Sequence, residues 1–116
     1  MVFVVAFLVD TTAYPKYPEA MNITFIGAAR TVTGSCILVE LDDKKLLVEC
    51  GLPQGNDQKK EGVDLPFRGS EIDYVLLTHA HIDHSGRIPL LVREGFTGTI
   101  HCTNATVDLC TIMLAD

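Results

Sequence analysis

The sequence predicts an α/β fold with strands first and helices later, and three observations support that class. From Asn22 onward, short apolar runs alternate with turn residues. Beyond the fourth run, the apolar positions take helical spacing and alternate with one more short run. The apolar fraction, 47% of 116 residues, is ample for one packed core, so one domain or part of one is expected.

The elements follow in order. "NITFIG" (22–27) reads as a strand ending at Gly27. "SCILVEL" (35–41) and "KLLVEC" (45–50) flank Asp42 and Asp43, whose turn chemistry predicts a hairpin. Residues 51–70 hold four of the nine glycines, two prolines and no sustained period, which predicts a loop within the domain. "IDYVLLT" (72–78) is almost continuously apolar, as expected for a strand buried on both faces. In "SGRIPLLVREG", Ile88, Leu91 and Val92 fall at helical spacing, Pro89 sits in the first turn and Gly95 closes the helix. "GTIHCT" (98–103) then predicts a strand, and "NATVDLCTIMLAD" a helix capped by Thr103 or Asn104.

The first twenty residues stand apart. "MVFVVAFLV" is shorter than the roughly 20 apolar residues a membrane helix needs, and it lacks the basic flank of a secretory signal. A polar, proline-containing stretch follows it. Residues 1–20 read as a non-native extension, with the fold starting at Met21; a short added strand is the alternative. The formal charge of -6 gives no basic footprint for nucleic acid, so any such partner must be argued from a local site. Cys36, Cys50, Cys102 and Cys110 form no C-x-x-C pair, which disfavours a zinc ribbon and a dithiol redox motif. They read as small buried hydrophobes in a reducing, cytoplasmic compartment.

Function concentrates in "THAHIDH", where an apolar run ends in His79, His81, Asp83 and His84. Random scattering of the chain's histidines and aspartates would give H-x-H-x-D-H with a chance of roughly a few in ten thousand. In an extended segment His79 and His81 point to one side, while Asp83 and His84 follow as the chain turns toward the helix and their side chains diverge. Imidazole and carboxylate donors suit zinc, so two donor pairs could seed two ions. His101, alone in a predicted strand, reads as structural. Arg30 and Arg87 could meet phosphate, although each reads equally well as a structural or solvated arginine.

The H-x-H-x-D-H motif after an apolar strand resembles the signature of the metallo-β-lactamase fold superfamily. "FIGAARTVTGSCILVE", "LLVECGLPQG", "HAHIDHSGRIPLL" and "GFTGTIHCTNATVDLCTIMLAD" resemble the N-terminal part of its β-CASP branch of RNA-processing nucleases. The resemblance implies that residues 21–116 are the N-terminal half of an αββα sandwich, a mixed sheet with helices on one face. The second half and the inserted β-CASP domain would be missing. It implies that His79 and His81 bind one zinc and Asp83 and His84 a second, with Asp83 also orienting the water. A zinc-activated hydroxide would then attack RNA. The loop around Thr33, Gly34 and Ser35 would lie near the substrate, although it reads equally as a polar turn between strands.

Two departures from that pattern matter. Glu49 stands where the family carries an aspartate that supports the metal site, and its extra methylene is expected to displace that support and weaken metal binding. The remaining family ligands, two histidines and a bridging aspartate, have no counterpart among Glu94, Asp108, Asp116 or His101. The expectation is therefore a nuclease fragment, inactive alone, whose uncovered sheet face could promote self-association. A small-molecule metallohydrolase of thioesterase or lactamase type and a noncatalytic half-domain are the alternatives.

Overall fold

The computed structural model describes residues 3–8 and 20–115. Among the described residues, six strands form one mixed sheet in sequential order: β1 (Phe3–Leu8), β2 (Ala20–Gly27), β3 (Cys36–Leu41), β4 (Lys44–Val48), β5 (Tyr74–Leu76) and β6 (Thr99–His101). The first four run antiparallel to their neighbours, and β4, β5 and β6 run parallel. The first residues adopt the alternative reading of an added strand, with Phe3 opposite Phe25 and Leu8 opposite Ala20. The polar stretch 9–19 and Asp116 lie outside the described residues.

Local chemistry accounts for the antiparallel part. Leu41 faces Lys44, so the β3–β4 hairpin turns on Asp42 and Asp43 alone, and Asp42 takes the left-handed φ of 49° that a short polar side chain tolerates. β2 ends where its register slips between Phe25 and Gly27; a Cβ on Gly27 would lie 2.1 Å from the Gly34 carbonyl oxygen. Only glycine fits there.

The parallel part needs crossovers. The passage from β4 to β5 contains α1 (Asn56–Glu61) and a 3₁₀ turn at Gly69–Glu71, which corrects the reading of 51–70 as loop. The helix was hidden because it buries no residue and so leaves no apolar period in the sequence. The passage from β5 to β6 is two short helices, α2 (Ile82–Ser85) and α3 (Ile88–Arg93), in place of one. Pro89 sits in the first turn of α3 and Gly95, with φ 97°, follows its end, both as predicted. Val92 is exposed, so the buried stripe of α3 is Ile88 and Leu91 alone. α4 (Asn104–Met113) starts at Thr103, whose hydroxyl accepts from the Thr106 N–H at 3.3 Å.

One sheet face carries the core. Leu38, Leu47 and Val75 lie in one cross-strand row and pack with Ile88, Leu91 and Phe96. Leu47, Val75 and Leu91 are fully buried, each contributing about 1.5–3 kcal/mol of apolar transfer. The opposite face is apolar but open. Its rows Ile23–Val39–Leu46–Tyr74 and Phe25–Ile37–Val48–Leu76 contain no buried residue. Tyr74 and Leu76 are each 40% exposed, so β5 is not buried on both faces as its apolar run suggested. An apolar run marks a strand but does not reveal what covers each side.

The two faces predict different costs for neighbouring leucines. Leu47→Ala should lower urea-measured stability by about 2–5 kcal/mol. Leu46→Ala, on the open face, should cost clearly less.

Candidate metal centre

Parallel pairing places the functional residues. Val48 pairs with Leu76, so the chain segments that follow them leave the sheet at the same edge, where sites of open α/β sheets gather. Glu49 follows β4 in a left-handed conformation (φ 64°), with its N–H on the Leu76 carbonyl at 2.9 Å. Its carboxylate is almost fully buried and accepts from the Thr78 N–H at 2.9 Å.

The sequence placed His79 and His81 together, and the structure brings His79 Nε2 to 3.1 Å from His81 Nδ1. It also brings Asp83 Oδ2 to 3.4 Å from His84 Nε2, which corrects the expectation that these side chains diverge. Both residues lie in the four-residue helix α2, directly after the turn at His81. The two pairs adjoin, with the ring centroids of His79 and His84 4.1 Å apart.

One ring of each pair is anchored from outside the pair. Thr78 Oγ1 lies 2.8 Å from His79 Nδ1 and Glu49 Oε2 lies 3.0 Å from His84 Nδ1, so each ring is anchored through Nδ1 and presents Nε2. Such outer partners orient a metal-binding imidazole and set its tautomer. A tetrahedral zinc with bonds of 2.0–2.1 Å separates two donors by about 3.3 Å. Both pair separations fit that edge, and the nitrogen and carboxylate donors suit the ion.

Glu49, His79 and His84 also offer atoms within 4.8 Å of one another. A metal on Glu49, however, would compete with the two hydrogen bonds that its carboxylate already accepts. Glu49 therefore serves better as the support of His84 than as a ligand. With its extra methylene, the Glu49 carboxylate reaches His84 Nδ1 at 3.0 Å.

The segment after Glu49 is laced to the histidine corner. Cys50 N–H donates to the His84 carbonyl at 2.8 Å, Leu52 N–H to Ile82 at 3.0 Å, and Arg87 N–H to Cys50 at 2.8 Å. A Cβ on Gly51 would lie 1.7 Å from the Asp83 carbonyl oxygen, so the approach admits only glycine. Ser85 Oγ, fully buried, donates to the carbonyls of Ala80 and His81 and closes the turn.

The loop residues Thr33, Gly34 and Ser35 reach this corner through the backbone, since Ser35 N–H donates to the Asp83 carbonyl at 2.9 Å. Thr33 Oγ1 is occupied: it donates to Asp57 Oδ2 and accepts from the Gln54 N–H. Gly34, with φ 84°, packs against Pro53. Arg87 is buried and makes its contacts inside the fold, and a cavity of about 290 Å³ beside it is lined by Ile26, Glu61 and Asp64 but by none of the histidines. His101 is exposed at the end of β6, its ring 5.9 Å from Tyr74.

Sequence reasoning missed Thr78 and Ser85, whose only signal was their place beside the histidines. Cys36 and Cys50 are buried free thiols, as read; a hydrogen bond between them lowers the Cys36 pKa and raises that of Cys50. Cys102 and Cys110 are half-buried. Among the described residues no helix is long and apolar enough to cross a membrane.

Residues 29–113 match the family described as the Metallo-beta-lactamase superfamily. Ribonuclease TTHA0252 of Thermus thermophilus is 46% identical over 96 residues, covering 83% of this chain and 22% of that protein. Transcription termination factor FttA of Methanocaldococcus jannaschii is 39% identical over 98 residues, covering 83% and 16%. In fold, the metallo-beta-lactamase fold protein YhfI of Bacillus subtilis superposes with a TM-score of 0.56 at 28% identity, over 76% of this chain and 38% of that one. The chain thus spans 22% of the length of the first curated relative and 16% of the second.

The Asp57 latch on the loop has a testable pH dependence. Hydrogen bonds from the Thr33 N–H and hydroxyl, then from the Val32 N–H, hold the Asp57 pKa below the usual carboxylate value. A lowered folded pKa means that the latch contributes fully above the unfolded value of about 3.9 and is lost as pH falls through the folded one. Amide-exchange protection at Val32 and Thr33 should therefore drop in that acid window, and Asp57→Ala should remove it at neutral pH.

Proposed function

The chain belongs to the metallo-beta-lactamase superfamily, and from that premise we propose that it is the metal-cradling part of an RNA-cleaving nuclease of the β-CASP kind. The observation that carries the reading is the adjoining of two donor pairs, His79–His81 and Asp83–His84, each at the spacing of a tetrahedral edge. The ribonuclease and termination-factor relatives support RNA as the substrate class over a β-lactam or thioester.

Two zinc ions are the proposed cofactors, one on His79 and His81, the other on Asp83 and His84. When bound, zinc lowers the pKa of water toward neutrality and stabilises charge developing on a phosphodiester. This chain's residues perform the positioning. Thr78 and Glu49 would hold the two Nδ1 atoms and leave Nε2 of His79 and of His84 to ligate. Asp83, with its side chain 26% exposed, is placed to accept a hydrogen bond from the attacking water. Two donors per ion are fewer than a closed zinc site uses, so the 116-residue chain alone should bind zinc weakly and leave RNA intact. A cytoplasmic location belongs to the same proposal and is supported by the four free thiols.

The test grafts residues 21–116 in place of the matching segment of the Thermus ribonuclease. The chimera should bind zinc in calorimetry and cut a labelled RNA; His79→Ala or Asp83→Ala should abolish cutting, and Glu49→Asp should change zinc affinity. A folded, zinc-loaded chimera that leaves RNA uncut would overturn the nuclease reading, and cutting by the isolated chain would overturn its inactivity. Whether the products are single nucleotides or internal fragments separates exonuclease from endoribonuclease action.

A second reading rests on the open sheet face. Its two apolar rows suit a second copy of this chain laid face to face. Light scattering should then show a mass that rises with concentration and falls to monomer in a Leu46→Lys/Leu76→Lys variant. A strictly monomeric parent chain would remove this reading.

A further inference from the structure

Arg87 is 3% exposed, and no carboxylate forms an ion pair with it among the described residues. Its Nε donates to the Gly51 carbonyl at 2.5 Å and its Nη1 to the Asp64 carbonyl at 3.2 Å, while Nη2 is buried without a hydrogen-bond partner in the structure. A buried cation without a counter-ion is costly, and a neutral side chain of similar volume would avoid that cost. What the guanidinium gains is a hold on the backbone just beyond Glu49. That burial also removes it from any role as a surface phosphate contact.

The hold lies where the chain is least willing to stay. Glu49 occupies a left-handed conformation that a residue with a long side chain adopts only when its surroundings enforce it. On its N-terminal side the Leu76 carbonyl anchors it. On its C-terminal side the anchors are His84, through Cys50 N–H, and Arg87, which takes the carbonyls of both Cys50 and Gly51. If Gly51 were released, Glu49 could relax to an ordinary φ, and its carboxylate would swing away from His84 Nδ1.

We propose that Arg87 is a positioning residue, acting through Gly51 and Glu49 to set the His84 ring with Nδ1–H on Glu49 and Nε2 toward Asp83. The inference rests on the metal-cradle reading above only for what His84 Nε2 is used for; the ring orientation itself is a property of the metal-free chain.

Long-range proton–nitrogen correlation of the imidazoles at pH 8 reads the His84 tautomer directly. The parent chain should show a single Nδ1–H form. Arg87→Lys, which keeps the charge but lacks the forked donor, should show mixed tautomers and a zinc affinity lower by roughly ten-fold or more. Arg87→Met tests the charge where it folds. In a Glu49→Ala background, Arg87→Lys should change neither readout further, because the path through Glu49 is already cut.

An unchanged tautomer and zinc affinity in folded Arg87→Lys, with only a lower urea midpoint, would make Arg87 merely structural and overturn the proposal. So would additive effects in the Glu49→Ala background, or a parent His84 that is not Nδ1–H. If the tautomer responds as expected while the parent chain binds no zinc, the positioning role stands and the metal reading fails.

Discussion

The close antiparallel approach of Glu49–Leu52 to Ile82–Arg87 is the constraint on which the rest of the molecule depends. It joins the end of β4 to the corner after β5, two segments that share only a sheet edge. Hydrogen bonds from Cys50 and Leu52 to the corner, and from Arg87 back to Cys50, hold them, and Gly51 lets the backbones meet where any side chain would collide with the Asp83 carbonyl. With that approach made, Glu49 reaches His84, Ser35 reaches Asp83, and the loop latched by Asp57 is drawn to the same corner. The individual backbone bonds are each modest, on the order of 1 kcal/mol, but they are cooperative because all close one contact.

The sheet serves that corner unevenly. One face is covered by Ile88, Leu91 and Phe96, in and just after α3, so β4 and β5 form a packed base for the residues that leave their ends. The other face is apolar and open, and the strands therefore keep sandwich-type patterning on both sides while only one is packed. The donor pairs need rigidity beneath them more than enclosure around them. Their geometry comes from strand ends and a four-residue helix, with Thr78, Glu49 and Ser85 fixing rings and turn.

Much of this was legible in the sequence because it depends on local chemistry. Strand positions followed the apolar runs, the β3–β4 hairpin followed Asp42 and Asp43, and the α4 cap followed Thr103. The histidine cluster stood out through residue type and spacing alone. α1 was not legible, since a helix that buries no residue leaves no apolar stripe, and the half-open state of β5 was not, since an apolar run is the same whether or not a second layer lies over it.

The sequence by itself determined the set of donors, their order along the chain and the class of fold that presents them, since strand propensity, turn chemistry and ligand type are properties of short segments. Only the tertiary structure decided how those residues are arranged. It brought Asp83 to His84 where local reasoning had them diverge, and set Glu49 as an anchor in a conformation its residue type disfavours. It also buried Arg87 as a clamp on the backbone, not a contact for phosphate. For Glu49 and Arg87 the physical reason is the same: the deciding partners lie roughly 30 or more residues apart, and sequence spacing carries no record of which distant carbonyl or carboxylate a side chain will meet.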